Sequence, residues 1–281
     1  MKTGVQQVML RKNVKNEAAA AEALQRIRSL GYEGIEMNRF MMHPMPVHIR
    51  MFTKMMGMEM GAGGNLDWVK LVKNSGLPVI SLHTDLGTLE KSTDEVIEEA
   101  RSLNTDKIVL TGMYHYDYSD GEAVSEFIER LNNTGKTLSE NGLSFLYHNH
   151  NCEFMNVSDH VKAYDRIIDE TDPLYVNFEF DSYWAIESGA DPLYWMDRLG
   201  TRLKLYHIND RGNRPQGKAG SILKSNCLEL GTGNMNLKAY IEKAESLGCE
   251  AVILEQHQNW IHKNALESVE ISSTFLKENV K

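Results

Sequence analysis

Residues 143–154 read Leu-Ser-Phe-Leu-Tyr-His-Asn-His-Asn-Cys-Glu-Phe, which packs His148, His150 and Glu153 into six positions after an apolar run. Imidazole titrates near neutrality, so a histidine pair can take a proton from carbon and hand one to a departing oxygen. His148 and His150 share parity on an extended strand, so both reach the same face. Other apolar runs also close on chemistry-bearing residues: Glu36, His83, Asp181, His207 and Glu255. A mixed set of oxygen and nitrogen donors suits one divalent ion of borderline softness, Mn²⁺, Zn²⁺ or Co²⁺, with Mg²⁺ a further candidate. Taken singly, Asp181 reads as the N-cap of a short helix and His207 as a satisfied core histidine. Their recurrence at run after run exceeds what 10 His and 39 Asp plus Glu among 281 residues would scatter there by chance.

Residues so far apart in sequence can converge only if a fold brings the ends of many strands together. Strand-like runs occur at 5–10, 34–37, 79–83, 107–110, 143–148, 175–181, 203–207 and 251–255. Between them lie helical patterns. Ala20, Ala23, Leu24, Ile27 and Leu30 recur at helical spacing over 16–30 with Gly31 as the stop signal, and Val124, Phe127, Ile128, Leu131 and Leu138 form a second stripe. Leu237, Tyr240, Ile241, Ala244 and Leu247 form another. Strands alternating with helices imply a parallel sheet, and eight such units are what a closed (β/α)₈ barrel requires. The expectation is α/β, one TIM-barrel domain over 1–281, with its metal site at the carboxyl ends of the strands.

Two segments break the rhythm. Residues 38–64 are rich in methionine (Met41, Met42, Met45, Met51, Met55, Met56, Met58, Met60), which fits a lid that repacks over a ligand, a contact in a homo-oligomer, or local packing of an irregular loop. Residues 211–228 are polar and basic, with Arg211, Arg214, Lys218 and Lys224, and read as a mobile loop. The formal charge of −9 argues against a surface that tracks nucleic acid, and no apolar run is long enough to span a bilayer. The start lacks the pattern of a secretory signal, which makes the cytoplasm the expected location. Cys152, Cys227 and Cys249 are too few and scattered for a disulfide framework and read as buried thiols.

Tyr147-His-Asn-His with Glu153-Phe154, the run Phe178-Glu-Phe-Asp-Ser-Tyr-Trp184, Tyr206-His-Ile-Asn-Asp-Arg211, Leu230-Gly-Thr-Gly233 and Ile253-Leu-Glu255 together resemble the xylose-isomerase-like barrel superfamily of sugar phosphate isomerases and epimerases. The resemblance runs in order along nearly the whole chain. It implies one divalent ion held by a Glu, Asp, His, Glu quartet from strands five to eight. Asp181, His207 and Glu255 match three of those positions. At the fourth, His148 stands where many members carry glutamate, and Glu153 is the expected replacement ligand because it preserves the charge at the ion. His148 and His150 are then left for acid and base work.

An ion chelating a carbonyl and a neighbouring hydroxyl oxygen would acidify the C–H between them and stabilise the enediolate. Proton return gives an isomer or an epimer, and loss of a β-oxygen gives elimination. The leading expectation is a sugar isomerase or epimerase. A lyase or dehydratase acting on a keto sugar or 3-keto glycoside is the alternative, carried by the histidine pair. Endonuclease IV-like phosphodiester cleavage ranks lower because of the acidic charge, and a binding protein with a decayed site ranks last. Glu36, His83, Trp184 and Arg211 are candidate contacts to a small carbohydrate. Tyr114, Tyr116, Tyr183 and Trp260 are further aromatic candidates, and Arg211 and Arg214 are the candidates for a phosphate.

Overall fold

A computed structural model describes residues 1–44, 51, 55, 63–113, 116–214 and 223–281. Most of the methionine-rich segment, Tyr114, and the centre of the loop after the seventh strand lie outside the described residues.

Eight strands form a closed parallel barrel in chain order, the last returning to the first. They are β1 (Lys2–Gln6), β2 (Gly34–Asn38), β3 (Val79–Thr84), β4 (Lys107–Thr111), β5 (Ser144–His148), β6 (Val176–Asp181), β7 (Leu203–Ile208) and β8 (Ala251–Leu254). The longer helices between and after them are α1 (Glu17–Ser29), α2 (Trp68–Ser75), α3 (Thr93–Ser102), α4 (Gly121–Glu140), α5 (Ala163–Glu170), α6 (Pro192–Leu199), α7 (Leu237–Ser246) and α8 (Ala265–Asn279). The expected (β/α)₈ architecture is the observed one. Among the described residues no helix is long and apolar enough to cross a membrane.

The first strand differs from its expected position. Residues 7–10 are not strand but a 3₁₀ turn (Gln7–Leu10), and β1 begins earlier, at Lys2. The Gln6 side chain accepts a hydrogen bond from the Val8 N–H at 2.5 Å and so caps the turn. Val8, Met9 and Leu10 are buried all the same, and a short apolar run does not distinguish a strand from a buried turn. The loop after β7 also differs: Asp210–Gly212 pairs antiparallel with Asn226–Leu228, so its two ends are tied as a ribbon.

Local signals explain the helix limits. Asn16 accepts from the Ala19 N–H (2.9 Å) at the start of α1, and Gly31 beyond its end takes φ +89°. Asp120 accepts from the N–H groups of Glu122 and Ala123 at the start of α4.

The chain groups into two compact units. The first (1–80, 208–241, 252–281) holds β1, β2, most of β8, and α1, α2 and α8, with Leu24, Ile27, Ile35 and Met37 in its core. The second (81–207, 242–251) holds β4 to β6, most of β3 and β7, and α3 to α6. Its core is aromatic. Phe127 contacts Tyr147 with ring centroids 5.7 Å apart, Phe178 meets Tyr164 at 6.0 Å, and Tyr164 meets Trp195 at 5.3 Å. Each such ring, once buried, stabilises by roughly 1.5–3 kcal/mol, and together they hold β5 and β6 against α4, α5 and α6.

Candidate metal and catalytic site

The second unit gathers four histidines and two carboxylates where β3, β5, β6 and β7 end. His83, His148, Glu179, Asp181 and His207 are all buried. One oxygen, Glu179 Oε2, lies 2.9 Å from His83 Nε2, 3.0 Å from His148 Nδ1 and 3.2 Å from His207 Nε2. An ionised carboxylate only accepts, so each facing nitrogen carries its proton. In the neutral ring this puts the lone pair on the opposite nitrogen: Nε2 of His148 and Nδ1 of His207. His207 Nδ1 in turn lies 3.9 Å from Asp181 Oδ2. On His83 the opposite nitrogen, Nδ1, is 3.1 Å from the Thr111 hydroxyl that ends β4.

His148, Asp181 and His207 each bring a ligand atom within 4.8 Å of the others. That spacing suits atoms that share an ion at about 2.0–2.3 Å. Two imidazoles and a carboxylate form a donor set for a borderline divalent ion, and Glu179 contacts both rings, as outer carboxylates do in metal sites. A buried His, Glu and Asp cluster able to hold a metal is therefore present.

Asp181 does two jobs. Its Oδ1 accepts from the Trp184 N–H at 3.0 Å and caps the short helix Ser182–Glu187, as its place in the sequence predicts, while Oδ2 faces His207. Its backbone is held by Asn149, whose Oδ1 accepts the Asp181 N–H (2.9 Å) and whose Nδ2 donates to the Asp181 carbonyl (3.1 Å).

Glu153, expected on the ion, has both carboxylate oxygens engaged by other groups. It sits in a 3₁₀ turn (Cys152–Phe154) with Oε1 accepting from the Tyr147 hydroxyl (2.7 Å) and Oε2 from the His150 N–H (2.9 Å) and Cys152 Sγ (3.3 Å). The Tyr147 phenol is 3.0 Å from that of Tyr118 and is pushed well above the usual range by burial and by the Glu153 charge. The same burial, with Glu153 beside it, raises the Cys152 thiol to about 12. Among the described residues Glu153 belongs to no group of candidate ligands. The residue of the β5 end that stands with Asp181 and His207 is His148.

His150 is half-buried. Its ring centroid lies 4.9 Å from that of His148 and 5.6 Å from that of Trp184. Gly112 makes room for it: an added Cβ there would lie 2.9 Å from His150 Nδ1. Tyr183 is buried against Trp184 at 5.4 Å, and the Tyr116 hydroxyl donates to the Ala123 carbonyl.

The remaining expected residues lie in the first unit. Glu36 on β2 and Glu255 just past β8 are both buried, and Glu255 Oε1 is 3.8 Å from His257 Nδ1. Arg211 is half-buried in the ribbon, its N–H donating to Asp210 Oδ1 at 2.8 Å. Trp260 packs under the Arg11 guanidinium, 4.6 Å from its ring centroid. Glu179, Asn149 and Thr111 were not singled out from sequence. For Glu179 a signal existed: it precedes Asp181 by two residues on one strand and therefore shares its face.

Residues 24–278 match the profile of the family described as xylose isomerase-like TIM barrel. An inosose dehydratase of Bacillus anthracis is 29% identical over 89 residues, 32% of this chain and 29% of that protein. One of Geobacillus thermodenitrificans is 24% identical over 160 residues, 54% of this chain and 53% of that protein. The chain thus spans about half the length of these relatives or less. Among solved structures, a sugar phosphate isomerase/epimerase of Parabacteroides distasonis superposes with a TM-score of 0.77 at 21% identity, covering 98% of this chain and 93% of that one. A probable 3-DHS dehydratase, AsbF, of Bacillus anthracis gives 0.69 at 16% identity, with 99% of each chain covered. The IolI protein with a bound zinc atom gives 0.67 at 14%, covering 100% and 98%.

Proposed function

The chain belongs to the xylose isomerase-like TIM-barrel family, and from that premise we propose that it is a metal-dependent lyase removing water from a keto polyol. The observation that carries this reading is the His150 imidazole, its ring centroid 4.9 Å from that of His148 in the group His148, Asp181 and His207, with the Glu153 carboxylate engaged by Tyr147 and the His150 N–H. An epimerase working through two glutamates at the ion would use Glu153 as one of them.

In this reading His148, Asp181 and His207 would hold the ion. A bound divalent ion supplies Lewis-acid polarisation of a carbonyl and an adjacent hydroxyl oxygen. His150 takes the proton from the carbon next to the carbonyl and delivers it to the β-hydroxyl, which leaves as water, so one imidazole serves as base and then as acid. Trp184 covers the apolar C–H face of the ring. Glu179 and Thr111 keep His83 and His148 in fixed tautomers. Isomerisation after removal of the same proton is the second reading, favoured by the buried carboxylates Glu36 on β2 and Glu255 just past β8.

The test is metal analysis followed by incubation in D₂O with an inosose and a panel of keto sugars, for the parent protein and His150→Ala. The expected result is one ion per chain, deuterium at the α-carbon, loss of water with enone absorbance, and none of these products from His150→Ala. An isomer or epimer formed without loss of water would replace elimination by isomerisation. Absence of both metal and exchange would sink the catalytic reading.

A further inference from the structure

The first unit carries buried polar side chains that the proposed chemistry does not use. Gln6 ends β1, Gln7 follows it, Asn38 is the last residue of β2, and Asn209 directly follows β7. None is more than 3% exposed. Each has an amide atom with no hydrogen-bond partner among the described residues: Nε2 of Gln6 and of Gln7, Oδ1 of Asn38, and both Nδ2 and Oδ1 of Asn209.

For three of the four, the orientation of the amide does not decide the matter. Gln6 Oε1 accepts from the Val8 N–H and Gln7 Oε1 from the Asn38 N–H at 2.7 Å, which fixes their NH₂ groups as the unpartnered ends. In Asn209 both ends are unpartnered. Strand parity gives direction. Gln6 is the register partner of Glu36, Asn38 shares the parity of Glu36, and Asn209 shares that of His207. All four stand at the carboxyl ends of their strands, the end where barrels of this kind receive ligands.

Buried polar groups are nearly always partnered. Four amides that break this rule at one rim, offering both donors and acceptors, match hydroxyl groups, which also do both. A phosphate, ionised and rich in acceptors, would face the bare oxygens of Asn38 and Asn209. Two arginines of this unit serve the fold. Arg11 donates to the carbonyls of Val8 (3.3 Å) and His257 (2.7 Å), and Arg214 to Glu229 Oε2 (2.7 Å) and the Asn259 carbonyl (2.8 Å).

We infer that Gln6, Gln7, Asn38 and Asn209 form a hydroxyl-reading subsite, which makes the polyol substrate uncharged rather than phosphorylated. This rests on the keto-polyol reading above and narrows it. The test is calorimetric binding to metal-loaded His150→Ala protein, with myo-inositol and D-glucose against myo-inositol 1-phosphate and D-glucose 6-phosphate as probes. A neutral polyol is expected to bind at least about tenfold more tightly than its phosphate, and Asn209→Ala to weaken it by about tenfold or more, as loss of paired hydrogen bonds implies. Asn209→Asp keeps an acceptor in nearly the same volume and serves as the second variant. It is expected to weaken the polyol as well, and to bind the phosphates more weakly still. Preference for a phosphate, binding unchanged within about twofold in both Asn209 variants, or no binding by any probe would overturn the inference. Turnover of a phosphorylated keto sugar by the parent protein would overturn this inference alone, whereas polyol binding with no turnover of any keto sugar by the parent protein would overturn only the lyase.

Discussion

Replacing Asn149 by alanine tests whether the backbone of Asp181 is positioned for an ion. Asn149 is fully buried, accepts the Asp181 N–H at 2.9 Å and donates to the Asp181 carbonyl at 3.1 Å. The alanine removes both bonds and leaves a donor and an acceptor of Asp181 without them in a buried setting. Each orphaned group costs about 1–3 kcal/mol, so partial relaxation leaves a loss of about 3 kcal/mol. For a chain of this size that lowers the melting temperature by roughly 6–12 °C. Asp181 also loses the tie that fixes it relative to the end of β5. Loosening the shell behind a ligand commonly costs about 10- to 100-fold in metal affinity. The assay is thermal melting with and without Zn²⁺ or Mn²⁺, with affinity read by competition against a chelator. Asn151→Ala, an exposed neighbour, is the control and is expected to leave both readouts unchanged. A melting temperature lowered as calculated, with metal affinity within about twofold of the parent, would show that Asn149 supports only the fold. That outcome would refute Asp181 as a ligand that must be held in place.

Glu179→Gln replaces the carboxylate that faces His83, His148 and His207 with a group that accepts at one atom and donates at the other. Metal affinity is expected to fall by about 10- to 100-fold in the same competition assay, with activity lost in parallel. Gly112→Ala pushes a methyl to 2.9 Å from His150 Nδ1; steady-state kinetics should show kcat reduced by about 100-fold while the melting temperature stays near the parent's. Glu229 is buried, which pushes its carboxyl up, but hydrogen bonds from Ser268 and Arg214 outweigh this and hold it below the ordinary 4.5. A depressed folded value means that its stabilisation is complete above that ordinary value and is lost as pH falls through 4.5 toward the lower one. Urea melts from pH 7 to 3 should therefore be flatter on the acid side for Glu229→Gln.

Much of the barrel is legible in the chain because its signals are local. The spacing of Ala20, Leu24 and Ile27, the Asn16 cap and the Gly31 stop delimit α1 without reference to any distant residue. Seven of the eight strands fall within a residue or so of their expected ends, since a strand covered on both faces is a short apolar run between turn signals. The first strand is offset because Val8, Met9 and Leu10 are buried whether extended or coiled, and only the Gln6 side chain bonding to Val8 N decides for the turn. Candidate donors were legible for a related reason: a barrel displays its strand ends at one rim, so the residue closing each run is a site candidate by position.

Sequence by itself determined the (β/α)₈ order and placed His83, His148, Asp181 and His207 at strand ends. Tertiary structure decided what each side chain faces. Charge alone cannot say whether His148 or Glu153 stands beside Asp181 and His207, because that depends on a 3₁₀ turn and on the Tyr147 hydroxyl reaching the Glu153 carboxylate. The joint contact of Glu179 with three histidines from three strands was equally hidden, although its parity with Asp181 was visible. Periodicity and capping are properties of neighbours along the chain, whereas the partners of a buried carboxylate are set by groups that only the closed sheet brings within hydrogen-bonding distance.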